Sequence, residues 1–432
     1  LAAGAACHKK RAHRRIAGEK RWKFVYYGSG MKIVIAPGAF KETLTAGQAA
    51  AAIGAGVIES LGGAVVDVCP VADGGPGTLD AMITATGGRY ISADVFDPLG
   101  APVRARFGIL GTRSGALPLP GELGLLAAGA ADEEFTPGEA CTAVVEMAAA
   151  SGLERISPER RDPLRTTTYG TGRLILAALE TGATEIIVGL GGSATVDGGC
   201  GAAQALGVEF RTASGEPCVC GLAGGGLIDI GQVDMSRLDG RVLNARIRAA
   251  CDVDNPLTGP KGAAAVFGPQ KGATAEMVQR LEAGLRNLAA VVRRDVGIDI
   301  QNMPRGGAAG GLAAGLAAFA RATLEKGFDM VARTVDLPAR LAGADLCMTG
   351  EGRLDSQSSG GKTSVEVARM ARAAGVPVAC LCGQVAHDAP LGEFDDVRSL
   401  AGAGIGVRQA MSKAEELLKA RAAELARAWR QR

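Results

Sequence analysis

Five glycine-rich stretches hold most of the side chains able to do chemistry. Four read Ala36-Pro-Gly-Ala-Phe-Lys41, Ala72-Asp73-Gly-Gly-Pro-Gly77-Thr78, Gly189-Leu-Gly191-Gly192-Ser193-Ala-Thr195-Val-Asp197-Gly-Gly199 and Asp252-Val-Asp254-Asn-Pro-Leu-Thr-Gly259. The fifth runs from Gly350-Glu351-Gly-Arg353-Leu-Asp355 on to Gly360-Gly361-Lys362-Thr363. Glycines let backbone N–H groups approach phosphate oxygens, and a helix N-terminus adds partial positive charge. Carboxylates beside such loops can hold Mg2+, and a lysine can neutralise phosphate charge. That is equipment for phosphoryl transfer, in which positioning and electrostatics do most of the work.

Each stretch also has an ordinary reading. Gly361-Lys362-Thr363 matches the end of a P-loop, but Ser356 stands where its first glycine belongs, which favours an unrelated phosphate site at a helix start. Gly189-x-Gly191-x-x-Ala194 follows a strand and Glu209 ends another, the outline of a dinucleotide fingerprint, although Ser193, Thr195 and Asp197 are unusual companions for it. Asp73 and Asp197 precede Gly-Gly, as plain turn residues often do. Asp252 and Asp254 point the same way if their strand continues, which suits a metal; they equally suit capping of the turn at Asn255-Pro256. Of three histidines only His387 lies beyond the first thirty residues, which excludes a His-based triad combined with a His-rich metal site. A general base here is therefore a carboxylate or a lysine. Ten scattered cysteines without a CxxC pair read as reduced, mostly buried thiols. Cys218 and Cys220 stand too close for an ordinary metal pair.

Alternating strand and helix text must position these loops. Lys32–Ala36 is a β-branched run stopped by Pro37, a helix follows over 46–61 behind Thr45, and Val65–Cys69 is a second strand. This βαβ opening predicts a parallel sheet covered by helices. Arg89–Phe96 and Val103–Leu110 alternate like antiparallel strands around Asp97-Pro98-Leu99-Gly100, and residues 112–140 read as a surface insertion. Helical text is expected at Ala143–Ala150 and over 274–294; strands are expected at Glu185–Val188, Arg246–Cys251, Ala263–Phe267, Asp345–Thr349 and Val376–Cys382. Helices Lys362–Ala374 and Ser412–Trp429 complete the chain. The resulting expectation is an α/β protein with a basic leader, 1–30, that is non-native or disordered. Residues 31–78 and 295–432 form a discontinuous parallel domain, and 79–294 a mixed α/β domain.

Composition narrows the class. Glycine makes up 64 of 432 residues, about twice the ordinary share, beside an ordinary 47% of apolar residues, which points to tight backbone approaches rather than disorder. The formal charge is +2, but residues 1–30 carry eight Lys/Arg against one Glu, so the remainder sums to −5. A mildly acidic body gives no footprint for nucleic acid. No run reaches the roughly 18 apolar residues of a membrane span, and a cytoplasmic protein is expected.

The chain from Met31 to about Arg427 resembles the bacterial glycerate kinase family, of the type that includes the glycerate 2-kinases of glucarate and glyoxylate utilisation. The segments carrying the resemblance are MKIVIAPGAFKETLTA (31–46), VADGGPGT (71–78), VVEMAAASGL (144–153), TTTYGTG (166–172), GLGGSATVDGG (189–199), CDVDNPLTGPKGAAAVFGPQKGA (251–273), GGAAGGL (306–312) and GEGRLDSQS (350–358). It implies ATP- and Mg2+-dependent phosphorylation of D-glycerate. It also implies two α/β domains, a Rossmann/flavodoxin-like parallel one with a second mixed one inserted, and an active cleft between them. A homodimer is compatible with it. Three of the family's usual loops are altered: Gly38-Ala39 replaces Asp-Ser, Pro76 replaces Glu, and Val196 replaces Asn.

On this reading Asp197 is the base, sitting in the richest anion-binding loop, and Lys41 and Arg353 neutralise the substrate carboxylate or the transferring phosphoryl. Gly191, Gly192, Ser193, Thr195 and Lys362 cradle phosphate; Asp252, Asp254 and Asp355 are the metal candidates; Asp73 and Thr168 face substrate. The 2-position of glycerate is the expected acceptor, ahead of the 3-position. Two competing readings are an NAD-dependent hydroxy-acid dehydrogenase built on the 189–194 fingerprint and a catalytically silent nucleotide-binding homologue.

Overall fold

Short β-branched runs closed by Gly or Pro become the central strands, and alanine-rich stretches between them become the covering helices. The computed structural model describes residues 30–111, 141–356, 358, 363–402 and 404–432. The basic leader up to residue 29, the expected insertion at 112–140 and Lys362 lie outside the described residues.

A five-stranded, wholly parallel sheet is built from β1 (Lys32–Ile35), β2 (Val65–Val68), β11 (Leu346–Leu354), β12 (Val378–Val385) and β13 (Asp396–Ser399), in the order β13-β12-β11-β1-β2. A six-stranded mixed sheet takes β3 (Arg89–Phe96), β4 (Pro102–Ile109), β5 (Cys141–Glu146), β6 (Ala183–Gly189), β9 (Arg246–Ala250) and β10 (Thr323–Glu325), in the order β10-β9-β6-β5-β4-β3. Its β5, β6, β9 and β10 are parallel, and β3 and β4 form an antiparallel hairpin. A ribbon of β7 (Glu209–Thr212) and β8 (Ile230–Asp234) stands apart.

Central strands are buried on both faces, as parallel sheets require. Ile33 and Ile35 pack on one side with Ile53 and Val57 of the Ala46–Ser60 helix and Leu418 and Leu425 of the Ala414–Arg430 helix. Val34 and Cys347 face the other way, into a core that includes Leu341 and Val365. That second core continues through Leu79, Met82 and Phe328 to Val144 and Ile187 of the six-stranded sheet. The Thr78–Thr86 and Gly327–Thr334 helices therefore contribute to an apolar core shared by both sheets.

Several expectations are corrected. Ala143–Ala150 is not one helix: β5 carries Val144 and Val145 fully buried in the sheet, and helix is confined to Ala148–Ser151. Burial of two β-branched residues outweighs the helix propensity of the alanines around them. Ala263–Phe267 is a helix, not a strand, a five-residue apolar run being ambiguous by period. Gly350 to Arg353 belong to β11 itself rather than to a loop. Glu209 opens an antiparallel strand, so the dinucleotide outline lacks its second parallel strand. Because β10 pairs with β9, the chain stays with the mixed sheet to Glu325, beyond the expected return at 295.

Candidate functional site

Strand order in the parallel sheet reverses at β1: β2 lies on one side, and β11, β12 and β13 follow in turn on the other. Loops leaving the carboxyl ends of β1 and β11 therefore diverge, and such a switch point opens a crevice. A cavity of about 520 Å³ occupies it, with Lys41, Asp73, Glu351, Arg353 and Asp355 on its polar walls and Leu400, Val407, Ala410 and Met411 on an apolar one. The β1 loop is held against β11 by the Gly38 amide, which donates to Gly350 O at 2.8 Å.

A second cavity, about 420 Å³, lies at the carboxyl ends of β6 and β9 and is lined by Lys41, Asp73, Gly191, Gly192, Ser193, Asp252 and Lys271. Lys41, Asp73 and Pro76 line both cavities, so the two form one cleft. The loops meet closely: Gly191 N donates to Gly74 O at 3.3 Å, and a Cβ on Gly191 would come within 2.5 Å of Gly75 Cα. The Gly191 amide is thus engaged in holding the loops together.

The second cavity brings two carboxylates and two lysines onto its walls. Asp73 Oδ1 accepts from Gly75 N at 3.1 Å, and Asp252 Oδ1 accepts from Gly327 N at 3.1 Å. Desolvation by the surrounding loops, and then the negative charge of Asp73, push the Asp252 carboxyl up to about 7. Lys271 is 2% exposed, and its Nζ donates to Ser193 Oγ and to Thr195 O, each at 2.7 Å. Burial pulls its pKa down to about 7, against the opposing effect of Asp197.

The residues singled out from sequence divide. Lys41, Asp73, Gly191, Gly192, Ser193 and Asp252 share the second cavity, and Arg353 and Asp355 line the first, 3.4 Å apart as an ion pair. Asp197 does not reach the cleft. It is 0% exposed; Oδ2 accepts from Thr168 N and Oγ1, both at 2.7 Å, and from Gly201 N at 3.3 Å, while Oδ1 accepts from Gly199 N at 3.1 Å. A carboxylate enclosed by its own loop has no route to a substrate proton, so the base role assigned to it is withdrawn. Thr168 belongs to the same buried cluster and does not face substrate, and Thr195, equally buried, is withdrawn from the phosphate cradle. Asp254 turns outward, 86% exposed, onto Arg305 at 3.0 Å. The expected metal trio is thus dispersed, and no cluster of three or more metal-type side chains exists among the described residues.

Two carboxylates remain near each other in the cleft, Asp73 and Asp252. Their mutual repulsion marks a place where a divalent cation shared with phosphate oxygens fits, since Mg2+ is commonly held by one or two carboxylates plus phosphate. Lys271 was missed as an individual residue. Its only sequence signal is its place between glycines in Gly268-Pro-Gln-Lys-Gly272, where burial of the ammonium is invisible. At the end of β5, outside the cleft, Glu146 accepts from Leu79 N at 2.8 Å in the first turn of the Thr78–Thr86 helix. Burial pushes its carboxyl up.

Comparison with known proteins points one way. The family model described as "Glycerate kinase family" matches residues 33–430. The chain is 45% identical over 358 residues to a glycerate kinase of Bacillus subtilis (strain 168), covering 83% of this chain and 86% of that one. It is 44% identical over 358 residues to a glycerate 2-kinase of Escherichia coli (strain K12), with the same coverage. A crystal structure described as a candidate glycerate kinase 2 from Salmonella typhimurium LT2 superposes with a TM-score of 0.80 at 41% identity, covering 93% of this chain and 99% of that one.

Proposed function

Because this chain belongs to the glycerate kinase family and is an ATP-dependent small-molecule kinase, we propose that it transfers the γ-phosphoryl group of ATP to the C2 hydroxyl of D-glycerate. The observation supporting this most directly is the joined cleft, two cavities meeting at Lys41 and Asp73. One cavity takes nucleotide and the other glycerate, so the transferring group crosses at those side chains. The first cavity, with the apolar wall of Leu400, Val407 and Met411, suits the nucleotide base. The second suits the small hydroxy acid. The reaction belongs in the cytoplasm, where ATP is available.

Asp73 takes the role withdrawn from Asp197. It lines both cavities and accepts the proton of the attacking hydroxyl as the O–P bond forms and the bond to ADP breaks. Lys41 neutralises charge on the transferring group, and the Ser193 hydroxyl and Gly192 hold anionic oxygens at the far end. Asp252, with Asp73 nearby, would hold Mg2+. Bound there, Mg2+ offsets charge on the phosphate oxygens of ATP. Transfer of this kind depends on positioning and charge compensation rather than covalent chemistry by the protein.

The 2-position follows the Escherichia coli relative. ATP, Mg2+ and D-glycerate coupled through enolase and pyruvate kinase, without phosphoglycerate mutase, test it. Pyruvate formation without mutase supports a 2-kinase, and formation only after mutase addition assigns the 3-position. No glycerate-dependent ADP release in either coupling refutes the kinase reading.

A further inference from the structure

Lys271 is a buried lysine at the cleft wall for which the proposed phosphoryl transfer gives no task. It carries three N–H donors and no acceptor. Two donors are directed at Ser193 Oγ and Thr195 O. The direction of the first bond matters. While Lys271 is protonated its ammonium can only donate, so Ser193 Oγ accepts and the hydroxyl proton is left to point elsewhere. No hydrogen bond donated by that hydroxyl forms among the described residues, although Ser193 is only 9% exposed and lines the cavity. Gly191 and Gly192 beside it carry no side chain, and Pro76 packs against them.

We propose that Lys271 is a positioning residue that fixes the Ser193 hydroxyl as a hydrogen-bond donor into the cleft, so that Ser193 O–H, backed by the Lys271 charge, binds an anionic oxygen of a substrate. A carboxylate or a phosphate oxygen fits that chemistry. The inference deepens the cleft reading above and rests on it for the identity of the substrates. It makes the serine and the lysine one unit: without the lysine the serine hydroxyl loses the donor that orients it, and without the serine the lysine loses the hydroxyl through which it acts.

The test is a double-mutant cycle with Ser193→Ala, Lys271→Met and the double variant, reading KM for D-glycerate and for MgATP separately from kcat. Each single substitution is expected to raise one KM by about 10- to 100-fold, the worth of one hydrogen bond to a charged group. The double variant should be no more than about threefold worse than the poorer single one, the signature of coupled residues. A rise confined to glycerate assigns a carboxylate oxygen, and a rise confined to MgATP a phosphate oxygen. Unchanged KM values in Ser193→Ala, a loss in kcat alone, or losses that multiply in the double variant each overturn the proposal. If Lys271→Met does not fold, Ser193→Ala decides alone by the same KM criterion. If the wild type turns over no glycerate, the kinase reading fails separately. Calorimetric titration with D-glycerate and with MgATP then takes over: a tenfold or larger loss of affinity for either in Ser193→Ala supports the proposal, and equal affinities for both overturn it.

Discussion

Lys271→Met should leave a stability signature whose sign reverses the usual intuition about lost hydrogen bonds. A lysine ordinarily titrates near 10.5, and burial pulls Lys271 down to about 7. At about 1.36 kcal/mol per tenfold, holding the ammonium in place costs about 5 kcal/mol wherever both folded and unfolded chains are protonated, that is below pH 7. Between pH 7 and 10.5 the unfolded chain binds the extra proton, so the wild type gains stability as pH rises. Methionine carries no such dependence. Against the relief stand two hydrogen bonds, to Ser193 Oγ and Thr195 O, worth about 1–3 kcal/mol each when a partner is left unsatisfied. The variant is therefore expected to match or exceed wild-type stability at pH 6, by up to about 3 kcal/mol. From pH 6 to pH 9 the wild type should then gain about 3 kcal/mol on it. Urea unfolding followed by circular dichroism at pH 6, 7.5 and 9 measures the difference directly. A gap between the two proteins that stays constant across that range would refute the reasoning, because it would mean Lys271 titrates alike folded and unfolded.

Asp73→Asn should lower kcat by about 10²- to 10⁴-fold with the fold intact, read by ADP release beside a circular dichroism control. Asp197→Asn should do the opposite: an amide cannot replace an acceptor shared among Thr168, Gly199 and Gly201, so stability falls by about 2–4 kcal/mol while the folded fraction keeps turnover within about tenfold. Arg340→Met strips the buried Asp67 of its partner at 2.5 Å and abandons Val335 O and Ala85 O; a loss of about 3–5 kcal/mol is expected in denaturant unfolding. Gly310→Ala should yield insoluble protein or a loss above about 3 kcal/mol, since Gly310 has φ +68° and its Cβ would lie 1.9 Å from Thr195 O.

What was legible in the sequence was what depends on local pattern. Lys32–Ile35 and Val65–Val68 announce themselves by β-branching and a terminating proline, and parallel strands deliver their following loops to one edge. Lys41, Asp73, Ser193 and Asp252 could therefore be nominated from their chemistry and their place in loops at strand ends. Side-chain direction was not legible. Asp197 sits in the richest glycine loop, yet Gly198 makes room for Leu288 and Gly199 for Leu312 and Gly315, and the carboxylate turns back to tie its own loop. Asp252 and Asp254 are two residues apart, but the strand ends at Ala250 and the pair separates, one into the cleft and one onto Arg305. Lys271 escaped because nothing in a Gly-Pro-Gln-Lys-Gly string shows that the lysine is enclosed. Helix and strand were exchanged at Ala143–Ala150 and Ala263–Phe267, where short alanine-rich runs fit both periods and only the surrounding sheet decides.

The pairing of β1 with β11 has a consequence for how the protein comes into being. Ile33 stands beside Leu346 in register, on strands separated by most of the chain. At about 5–20 residues per second, a ribosome takes on the order of 15–60 s to deliver β11 after β1 has emerged. Throughout that interval Ile33, Val34 and Ile35 have one neighbour, β2, and an open parallel edge. The nascent chain thus spends most of its synthesis with the centre of its first sheet uncovered, a natural client for chaperones that shield apolar edges. Completion is set by the last strands to leave the tunnel, so a message cut short before Leu346 yields a sticky product rather than a smaller working one.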